Sequence, residues 1–231
     1  MELQDARTLV VGGTGVLGGA LTSVLHQRGA RIVATGRDAG RLSGLADKTE
    51  ATLELDLLDV AACRDTVARA AEQLGGLDLL VIASGVAAFG AAADTADAVT
   101  EEVFAVNTLG PIAVLSAAVP KIEKGGAVVV LSAILADSPM AGMASYSASK
   151  SALSGYLSAL RREVRRQGVN VIDVRPPHMD TGLVDRAISG TPPPLPPGHE
   201  VDELVSLLVT GVREDKKELV WDPGGKAMAL R

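Results

Sequence analysis

The chain has 231 residues, of which 47% are apolar and only 2% are aromatic, and its formal net charge at pH 7 is −6. So few aromatic residues disfavour an all-β sandwich or barrel and a stacking platform for single-stranded nucleic acid. The negative charge disfavours binding to a nucleic-acid backbone. The length fits one large domain, and no linker divides it, so we expect residues 1–231 to form a single domain.

Three features of the sequence indicate the cellular setting. The single cysteine, Cys63, cannot form an intrachain disulfide, which suits a reducing compartment. The N-terminus has neither the basic region nor the apolar run of a signal peptide. The longest weakly polar stretch, residues 81–93, is too short to span a bilayer. We therefore expect a cytoplasmic protein that does not span a membrane.

Short apolar runs alternate with longer helix-compatible segments along the chain. Strands are predicted at residues 8–11, 31–35, 51–55, 77–83, 127–131, 169–174 and 219–221, and helices at 15–28, 60–74, 97–121, 144–167 and 201–212. Gly29, Gly75, Gly125 and Gly168 are placed to end helices. Runs of Val, Leu and Ile without alternation are typical of strands covered on both faces. The pattern predicts an α/β fold with a doubly wound parallel β-sheet and helices on both faces.

The turn after the first strand is rich in glycine. Glycines recur at every third position, 12, 15 and 18, between a predicted strand and a predicted helix. Glycine permits a tight turn and a close approach of the backbone to a pyrophosphate, and the helix N-terminus favours an anion. We therefore expect a dinucleotide-binding turn made of Gly12, Thr14, Gly15, Val16, Leu17 and Gly18.

The ends of the second and third strands indicate which dinucleotide is bound. The second strand runs into Gly36, Arg37 and Asp38. Arg37 can pair with a 2′-phosphate, which favours NADP(H) over NAD(H). Alternatively, Arg37 is a solvated loop charge and Asp38 binds the ribose. Asp56, followed by Leu57, ends the third strand and either meets the adenine or caps the next turn.

A tyrosine and a lysine four residues apart begin a predicted helix. Tyr146 and Lys150 therefore share one helical face. A nearby ammonium favours the phenolate and lowers the pKa of a tyrosine, which lets the phenol act as an acid or base. The other tyrosine, Tyr156, has no lysine four residues later and is expected to pack on a helix interface.

Taken in order, these motifs resemble the short-chain dehydrogenase/reductase family from Leu9 to about Trp221. The shared elements are the glycine turn, Asp56, Asn107, a serine-bearing fifth strand, Tyr146 with Lys150, and a proline-containing turn before Thr181. The resemblance implies a Rossmann-type sheet of about seven parallel strands. It also implies hydride transfer between a nicotinamide cofactor and a carbonyl or alcohol carbon.

The resemblance implies a role for each matching residue. Tyr146 would donate a proton to the carbonyl oxygen, and Lys150 would hold the ribose and lower the pKa of Tyr146. Asn107 would bind a relay water; its alternative role is to bridge backbone groups at the Gly110–Pro111 kink. The remaining expected cofactor contacts are Ala83, Ser84 and Gly85 after the fourth strand, and Pro176 and Thr181 after the sixth.

The sequence also departs from the family pattern. Val16 replaces a frequent glycine, residues 82–85 read Ile-Ala-Ser-Gly instead of Asn-Asn-Ala-Gly, and Pro177 replaces a glycine. The serine that orients the substrate oxygen is replaced by Ala133. Ser132 precedes that position and would point away from the site unless a bulge reorients it. We expect Ser132 to be the catalytic serine, with Ser138 or no donor as alternatives.

The sequence-based hypothesis is an NADPH-dependent carbonyl reductase or the reverse alcohol dehydrogenase. The alternative is a non-catalytic NADP(H)-binding sensor or scaffold, since Ala133 and residues 82–85 depart from the pattern. Epimerase or dehydratase chemistry is suggested by the glycine spacing alone. No metal is expected, and the resemblance implies a homodimer or homotetramer.

The substrate would be a small carbonyl or alcohol compound held by two loops. The loops at 134–143 and 183–198 supply Met140, Met143 and Leu183 as apolar walls, and His178, outside both loops, is expected as a polar contact. Residues 191–198 hold five of the eleven prolines. This segment is either a stiff polyproline II surface loop or part of a lid within a substrate loop at about 183–200.

Overall fold

The computed structural model describes residues 1–231. Eight strands form one sheet: β1 Arg7–Val11, β2 Arg31–Gly36, β3 Ala51–Glu54, β4 Leu77–Ile82, β5 Ile122–Leu131, β6 Asn170–Arg175, β7 Glu218–Asp222 and β8 Ala227–Leu230. Seven α-helices accompany them: α1 Val16–Gln27, α2 Ala39–Ser43, α3 Val60–Leu74, α4 Asp97–Phe104, α5 Gly110–Ala118, α6 Ala144–Glu163 and α7 Val201–Arg213.

The strand order is β3-β2-β1-β4-β5-β6-β7-β8, and β1 to β7 are parallel. The chain therefore winds outward in one direction from β1 to β3 and in the other from β4 to β7. This reversal places a crevice at the carboxyl ends of β1 and β4, where ligands bind in sheets of this kind. The predicted α/β fold with a doubly wound parallel sheet is confirmed.

Two apolar layers cover the sheet. Leu9 and Leu80 face the layer that contains α3, α5 and α6, whereas Val10 and Leu79 face the layer of α1 and α7. Neighbouring residues of a strand point to opposite faces, so both must be apolar when both faces are buried. Each such side chain contributes roughly 1.5–3 kcal/mol to folding. This is why the strands read as continuous apolar runs.

The eighth strand was not predicted. After β7 the chain turns at Asp222, whose Oδ1 accepts a hydrogen bond from the Gly224 N–H at 3.1 Å, and Lys226 takes a positive φ of 49°. Strand β8 then pairs antiparallel with β7. The sheet is therefore mixed and eight-stranded. The prediction that Gly125 ends a helix is also wrong, because this glycine lies inside β5.

The predicted helix at 97–121 is confirmed as one helical stretch whose winding changes along its length. Helices α4 and α5 are separated by a π-helical segment, Ala105–Leu109, and a 3₁₀ turn, Val119–Lys121, follows α5. The stretch Asp97–Lys121 is long and apolar enough to cross a membrane by composition, but 56% of its apolar window is buried within the fold. Its helices pack against α3 and α6, as core helices do.

The loop between β6 and α7 folds back towards the sheet. It contains a 3₁₀ turn, Val184–Arg186, and two isolated bridges, Ala88 with Ser189 and Met179 with His199. The proline-rich residues 191–198 form no helix or strand. Two of them, Leu195 and Pro196, line the cavity described below, which favours the lid interpretation over an isolated surface loop.

Candidate active site

A cavity of about 700 Å³ opens at the carboxyl ends of the parallel strands. It extends from the glycine turn, past the end of β5, to the loop between β6 and α7. All the predicted site residues except Gly18 and Asn107 line it. The sequence motifs, which are scattered along the chain, therefore meet in one place.

The glycine turn leaves room for an anion at the start of α1. Gly12 has φ = +88°, and a Cβ at Gly18 would collide with the Gly12 carbonyl. Gly15 precedes the first residue of α1 and provides no side-chain cap. The amides of the first helical turn have no partner within the helix, and they favour a negatively charged group. The turn therefore fits the pyrophosphate of a dinucleotide.

Two arginines line the cavity near the end of β2. Arg37 is exposed and lines the cavity, and Arg41 of α2 donates a hydrogen bond from Nη2 to the Thr14 carbonyl at 2.6 Å. Asp38 caps α2, since its Oδ1 accepts a hydrogen bond from the Arg41 N–H at 2.9 Å. The Asp38 carboxylate is thus engaged at the start of α2. Arg41 was not predicted.

The segment after β4 passes close to the lysine. A Cβ at Gly85 would lie 3.2 Å from Asn107 Oδ1 and 3.3 Å from Lys150 Nζ. Glycine therefore allows the amide, the ammonium and the backbone to approach one another. The altered residues Ala83 and Ser84 also line the cavity. The change in this motif does not displace the segment from the site.

Asn107 holds this segment in place. It is fully buried in the π-helical segment, where its Oδ1 accepts from the Val86 N–H at 2.9 Å and its Nδ2 donates to the Val86 carbonyl at 3.0 Å. Nδ2 also lies 3.2 Å from Ser149 Oγ. Its carboxamide thus bridges backbone groups at Val86, and not at the Gly110–Pro111 kink that the sequence suggested.

Tyr146 and Lys150 lie on one face of α6, as their spacing predicts. Both are buried, with 7% and 3% of their surfaces exposed. Lys150 Nζ donates a hydrogen bond to the Leu131 carbonyl at 3.2 Å and lies 5.9 Å from the centre of the Tyr146 ring. The lysine is therefore tied to the end of β5, close to the tyrosine ring.

Burial decides the pKa values of this pair. It raises the pKa of Tyr146 to about 12. It lowers the pKa of Lys150 to about 8, opposed by the negative charge of Asp173. The pKa of Tyr146 therefore moves in the direction opposite to the expectation that Lys150 lowers it, because burial takes the phenolate out of water.

The structure corrects the expectation for Ser132. Its Oγ donates to Asp173 Oδ1 at 2.5 Å and lies 3.2 Å from the Val174 carbonyl. No bulge reorients this hydroxyl towards the tyrosine. Ala133 instead joins Tyr146 in an apolar cluster with Ala87, Phe89 and Met143. The family serine position is thus occupied by a methyl group, whereas Ser138 and His178 are polar groups on the cavity wall.

Asp173 is a second residue near the site, after Arg41, that was not predicted from the sequence. It is 1% exposed and binds Ser132, Ser154 and Arg175 beside the site. A lone acidic residue within an apolar strand run is a signal that could have revealed it, because an unpaired buried carboxylate is costly. No cluster of three or more His, Cys, Asp or Glu side chains is placed to hold a metal ion.

A doubly wound sheet with a glycine turn and a buried Tyr–Lys pair at its carboxyl edge defines a class of dinucleotide-binding oxidoreductases. The model of the short chain dehydrogenase family matches residues 6–191. The chain belongs to this family.

Curated relatives agree with the assignment. An uncharacterized oxidoreductase of Myxococcus xanthus is 31% identical, over 91% of this chain and 85% of its own length. Dehydrogenase/reductase SDR family member 7B of Danio rerio is 29% identical over 82% of this chain, which spans 66% of that protein. The cyclic-di-GMP-binding biofilm dispersal mediator protein of Escherichia coli is 31% identical, over 75% of this chain and 73% of its own.

Solved structures show the same fold. A short chain dehydrogenase of Burkholderia cenocepacia in complex with NADP is 29% identical, with a TM-score of 0.81 and 92% of each chain covered. A Burkholderia phymatum short chain dehydrogenase/reductase in complex with NAD has a TM-score of 0.88, with 97% of this chain and 91% of that chain covered. Its identity is 18%, so it shows the fold alone. The Burkholderia cenocepacia relative holds NADP, a nicotinamide dinucleotide.

Proposed function

We propose that the protein is an NADP(H)-dependent oxidoreductase that reduces an apolar carbonyl compound or oxidises the corresponding alcohol. The observation that carries the proposal is the shared cavity: the buried Tyr146–Lys150 pair and the glycine turn line the same space. An anion site and an acid–base pair in one cleft suit hydride transfer accompanied by proton transfer.

The residues present fit the cofactor. Gly12, Gly15 and the amides at the start of α1 would hold the pyrophosphate, and Arg37 with Arg41 would pair with a 2′-phosphate. Asp56 and Leu57 would flank the adenine, and the backbone at Gly85 would lie against the ribose. Pro176 and Thr181 would contact the nicotinamide carboxamide. Once bound, the nicotinamide supplies the hydride that carbonyl reduction needs.

The residues of α6 supply the proton. The high pKa of Tyr146 keeps its phenol protonated at neutral pH, so this group can donate a proton to the carbonyl oxygen. The Lys150 ammonium stabilises the phenolate that remains. Lys150 would then give a proton to the phenolate, and a water bound where Asn107, Gly85 and Lys150 lie together would return a proton to the lysine.

Orientation of the carbonyl differs from the usual arrangement. Ala133 offers no hydroxyl, and the Ser132 hydroxyl is committed to Asp173. The carbonyl oxygen therefore has Tyr146 as its main donor, with Ser138 or His178 as additional polar groups. Loss of one oxyanion donor costs roughly 3 kcal/mol in other enzymes. Slow turnover of simple ketones is the consequence.

The substrate is best described by the walls of the cavity. Met140, Met143, Leu183 and Val184 are apolar, and Leu195 of the proline-rich segment closes the same side. These aliphatic and thioether groups favour an apolar carbonyl compound over a flat aromatic one that needs ring stacking.

The protein is proposed to act in the cytoplasm as a homodimer or homotetramer, and to bind neither nucleic acid nor a membrane.

A ketone and alcohol screen tests the proposal. NADPH oxidation is followed by absorbance with aliphatic and cyclic ketones, and NADP⁺ reduction with the matching secondary alcohols. We expect turnover of apolar substrates and a preference for NADPH over NADH. Tight NADPH binding with no turnover of any carbonyl or alcohol would contradict an enzymatic role.

The second candidate function is a ligand-binding sensor without turnover. It is favoured by Ala133 at the serine position and by a relative whose name describes a cyclic-di-GMP-binding mediator. The buried Tyr146–Lys150 pair favours catalysis instead, because a sensor has no need for a desolvated acid–base pair. Calorimetric titration with cyclic di-GMP, with and without NADPH, distinguishes the two: submicromolar binding with no carbonyl turnover would support the sensor.

A further inference from the structure

The buried carboxylate of Asp173 lies close enough to Lys150 for its charge to act on the lysine. Asp173 sits in the middle of β6 and is 1% exposed. The same face of β5 and β6 carries Val128, Val130 and Val171, so an apolar residue would suit this position. Taking a carboxylate out of water costs several kcal/mol unless it is paired and hydrogen-bonded. Its presence therefore needs a local reason.

The carboxylate joins the two elements that form the candidate site. Its Oδ1 accepts from Ser132 at the end of β5, and its Oδ2 accepts from Ser154 of α6 and from Arg175 Nη1 at 2.8 Å. Ser154 follows Lys150 by one helical turn, as Lys150 follows Tyr146. Asp173 thus binds the next turn of the same helical face.

Lys150 is held by the same two elements. Its Nζ donates to the carbonyl of Leu131, the residue before Ser132. The bonds from Asp173 to Ser132 and Ser154 therefore fix both the acceptor and the helix that carries the donor. The negative charge of Asp173 also acts directly on the lysine: it favours the ammonium and opposes the effect of burial.

We propose that Asp173 is a positioning residue. It holds Lys150 against the end of β5 and keeps the lysine side chain protonated. The effect on turnover rests on the proposed function, but the effect on the lysine itself does not. Without the carboxylate, the buried ammonium would lose its counter-charge and would release its proton at a lower pH.

The charged groups around Lys150 decide which substitution of Asp173 tests the proposal. Tyr146 is the titratable group beside Lys150 on α6, and Asp173 and Arg175 are the charged groups on β6. Arg175 is also held by Asp137 at 2.9 Å and Glu218 at 2.9 Å, so it keeps two carboxylate partners when Asp173 is neutralised. Asp173→Asn therefore removes one charge and retains an amide that can still bond to the serines.

Titration of Lys150 by NMR tests the proposal. The protein is labelled with ¹³C-lysine, and the signal of Lys150 is identified by its loss in Lys150→Met. We expect the midpoint in Asp173→Asn to fall by about one pH unit relative to wild type. Asp78→Asn is the matched control, because Asp78 pairs with Arg7 at 2.8 Å at the other end of the sheet. It should leave the midpoint unchanged.

An unchanged midpoint in Asp173→Asn would overturn the proposal. If that variant does not fold, Asp173→Ser removes the same negative charge while keeping a small polar side chain and the Arg175 cation, and the midpoint must still fall. In an active enzyme, the alkaline limb of the kcat profile should move to lower pH in Asp173→Asn, which loss of packing alone would not produce. Absence of carbonyl turnover in wild type would defeat the proposed function but leave the lysine titration as a test of Asp173.

Discussion

Asp38 accepts a hydrogen bond from the backbone N–H of Arg41 at 2.9 Å and thereby caps the N-terminus of helix α2. An acid at the end of β2 usually binds a ribose hydroxyl and favours NAD, but here it serves as a helix cap. The side chains that line the cavity at this point are then those of Arg37 and Arg41. This arrangement is the physical basis for the proposed preference for NADP(H).

Replacing either arginine should weaken binding of NADPH much more than binding of NADH. A hydrogen bond to a charged group contributes roughly 1.5–3 kcal/mol, so Arg37→Ala or Arg41→Ala should raise the Kd for NADPH about tenfold or more. The single tryptophan, Trp221, lines the cavity, so quenching of its fluorescence reports binding. Arg69→Ala, on the exposed side of α3, is the control. An equal loss for both cofactors would argue against phosphate recognition.

The phenol of Tyr146 should be required for turnover and dispensable for cofactor binding. Tyr146→Phe keeps the ring in its apolar cluster but removes the proton donor, so kcat for ketone reduction should fall by about 10²–10⁴. The Kd for NADPH should change little. Tyr156→Phe is the matched control, because that hydroxyl lies 3.4 Å from Ser116 Oγ, away from the cavity. Similar rates for wild type and Tyr146→Phe would exclude this phenol as the acid.

The fold could be predicted because its signals are local. Apolar runs, helix-length intervals and glycines such as Gly75 and Gly168, both left-handed at helix ends, are properties of short segments. The π-helical winding at Ala105–Leu109 and the added strand β8 were not predicted. Asn107 of the π-helical segment bonds to Val86, which is distant in sequence, whereas the turn near Asp222, Gly224 and Lys226 is marked by local residues.

The sequence indicated which residues gather at the site, but it did not indicate where each of their side chains points. Tyr146 and Lys150 are one turn apart, so spacing alone placed them together. The direction of Ser132 depends on Asp173, which is 41 residues away in sequence and adjacent only in the folded sheet. The rise in the pKa of Tyr146 likewise depends on burial by neighbours such as Ala87 and Phe89, which are more than fifty residues away in sequence.

Restoring the missing hydroxyl should accelerate ketone reduction. Ala133→Ser adds one oxygen beside Tyr146, where Ala133 is 7% exposed at the cavity wall. A correctly placed oxyanion donor is worth roughly 3 kcal/mol in other enzymes, so kcat should rise about tenfold or more if even half of that is realised. Ala136→Ser, in the 3₁₀ turn after β5, is the control. An unchanged or lower kcat in a folded Ala133→Ser variant would show that another group already orients the carbonyl.

Removal of the Ser132 hydroxyl should act on stability. Ser132→Ala leaves Asp173 Oδ1 without its serine donor in a buried setting, which costs roughly 1–3 kcal/mol of unfolding free energy. Ser43→Ala is the control, since its hydroxyl donates to the Gly40 carbonyl on an exposed helix, and a change within about 0.5 kcal/mol is expected. Urea unfolding measures both. A Ser132→Ala variant with wild-type stability would contradict the assigned hydrogen bond.

Stability at alkaline pH should carry the signature of the buried lysine. The pKa of Lys150 in the folded protein is about 8, below the value near ~10.4 of an unfolded chain. Between these values the unfolded state binds more protons, so the free energy of unfolding rises with pH, by about 3 kcal/mol at most. Below pH ~8 both states carry the proton and this contribution is constant. The Lys150→Met variant lacks this titrating group, so urea unfolding of both proteins across this pH range isolates the contribution of the lysine. Wild type should gain stability relative to Lys150→Met as the pH rises. A constant or shrinking difference in stability would show that Lys150 titrates normally in the folded protein.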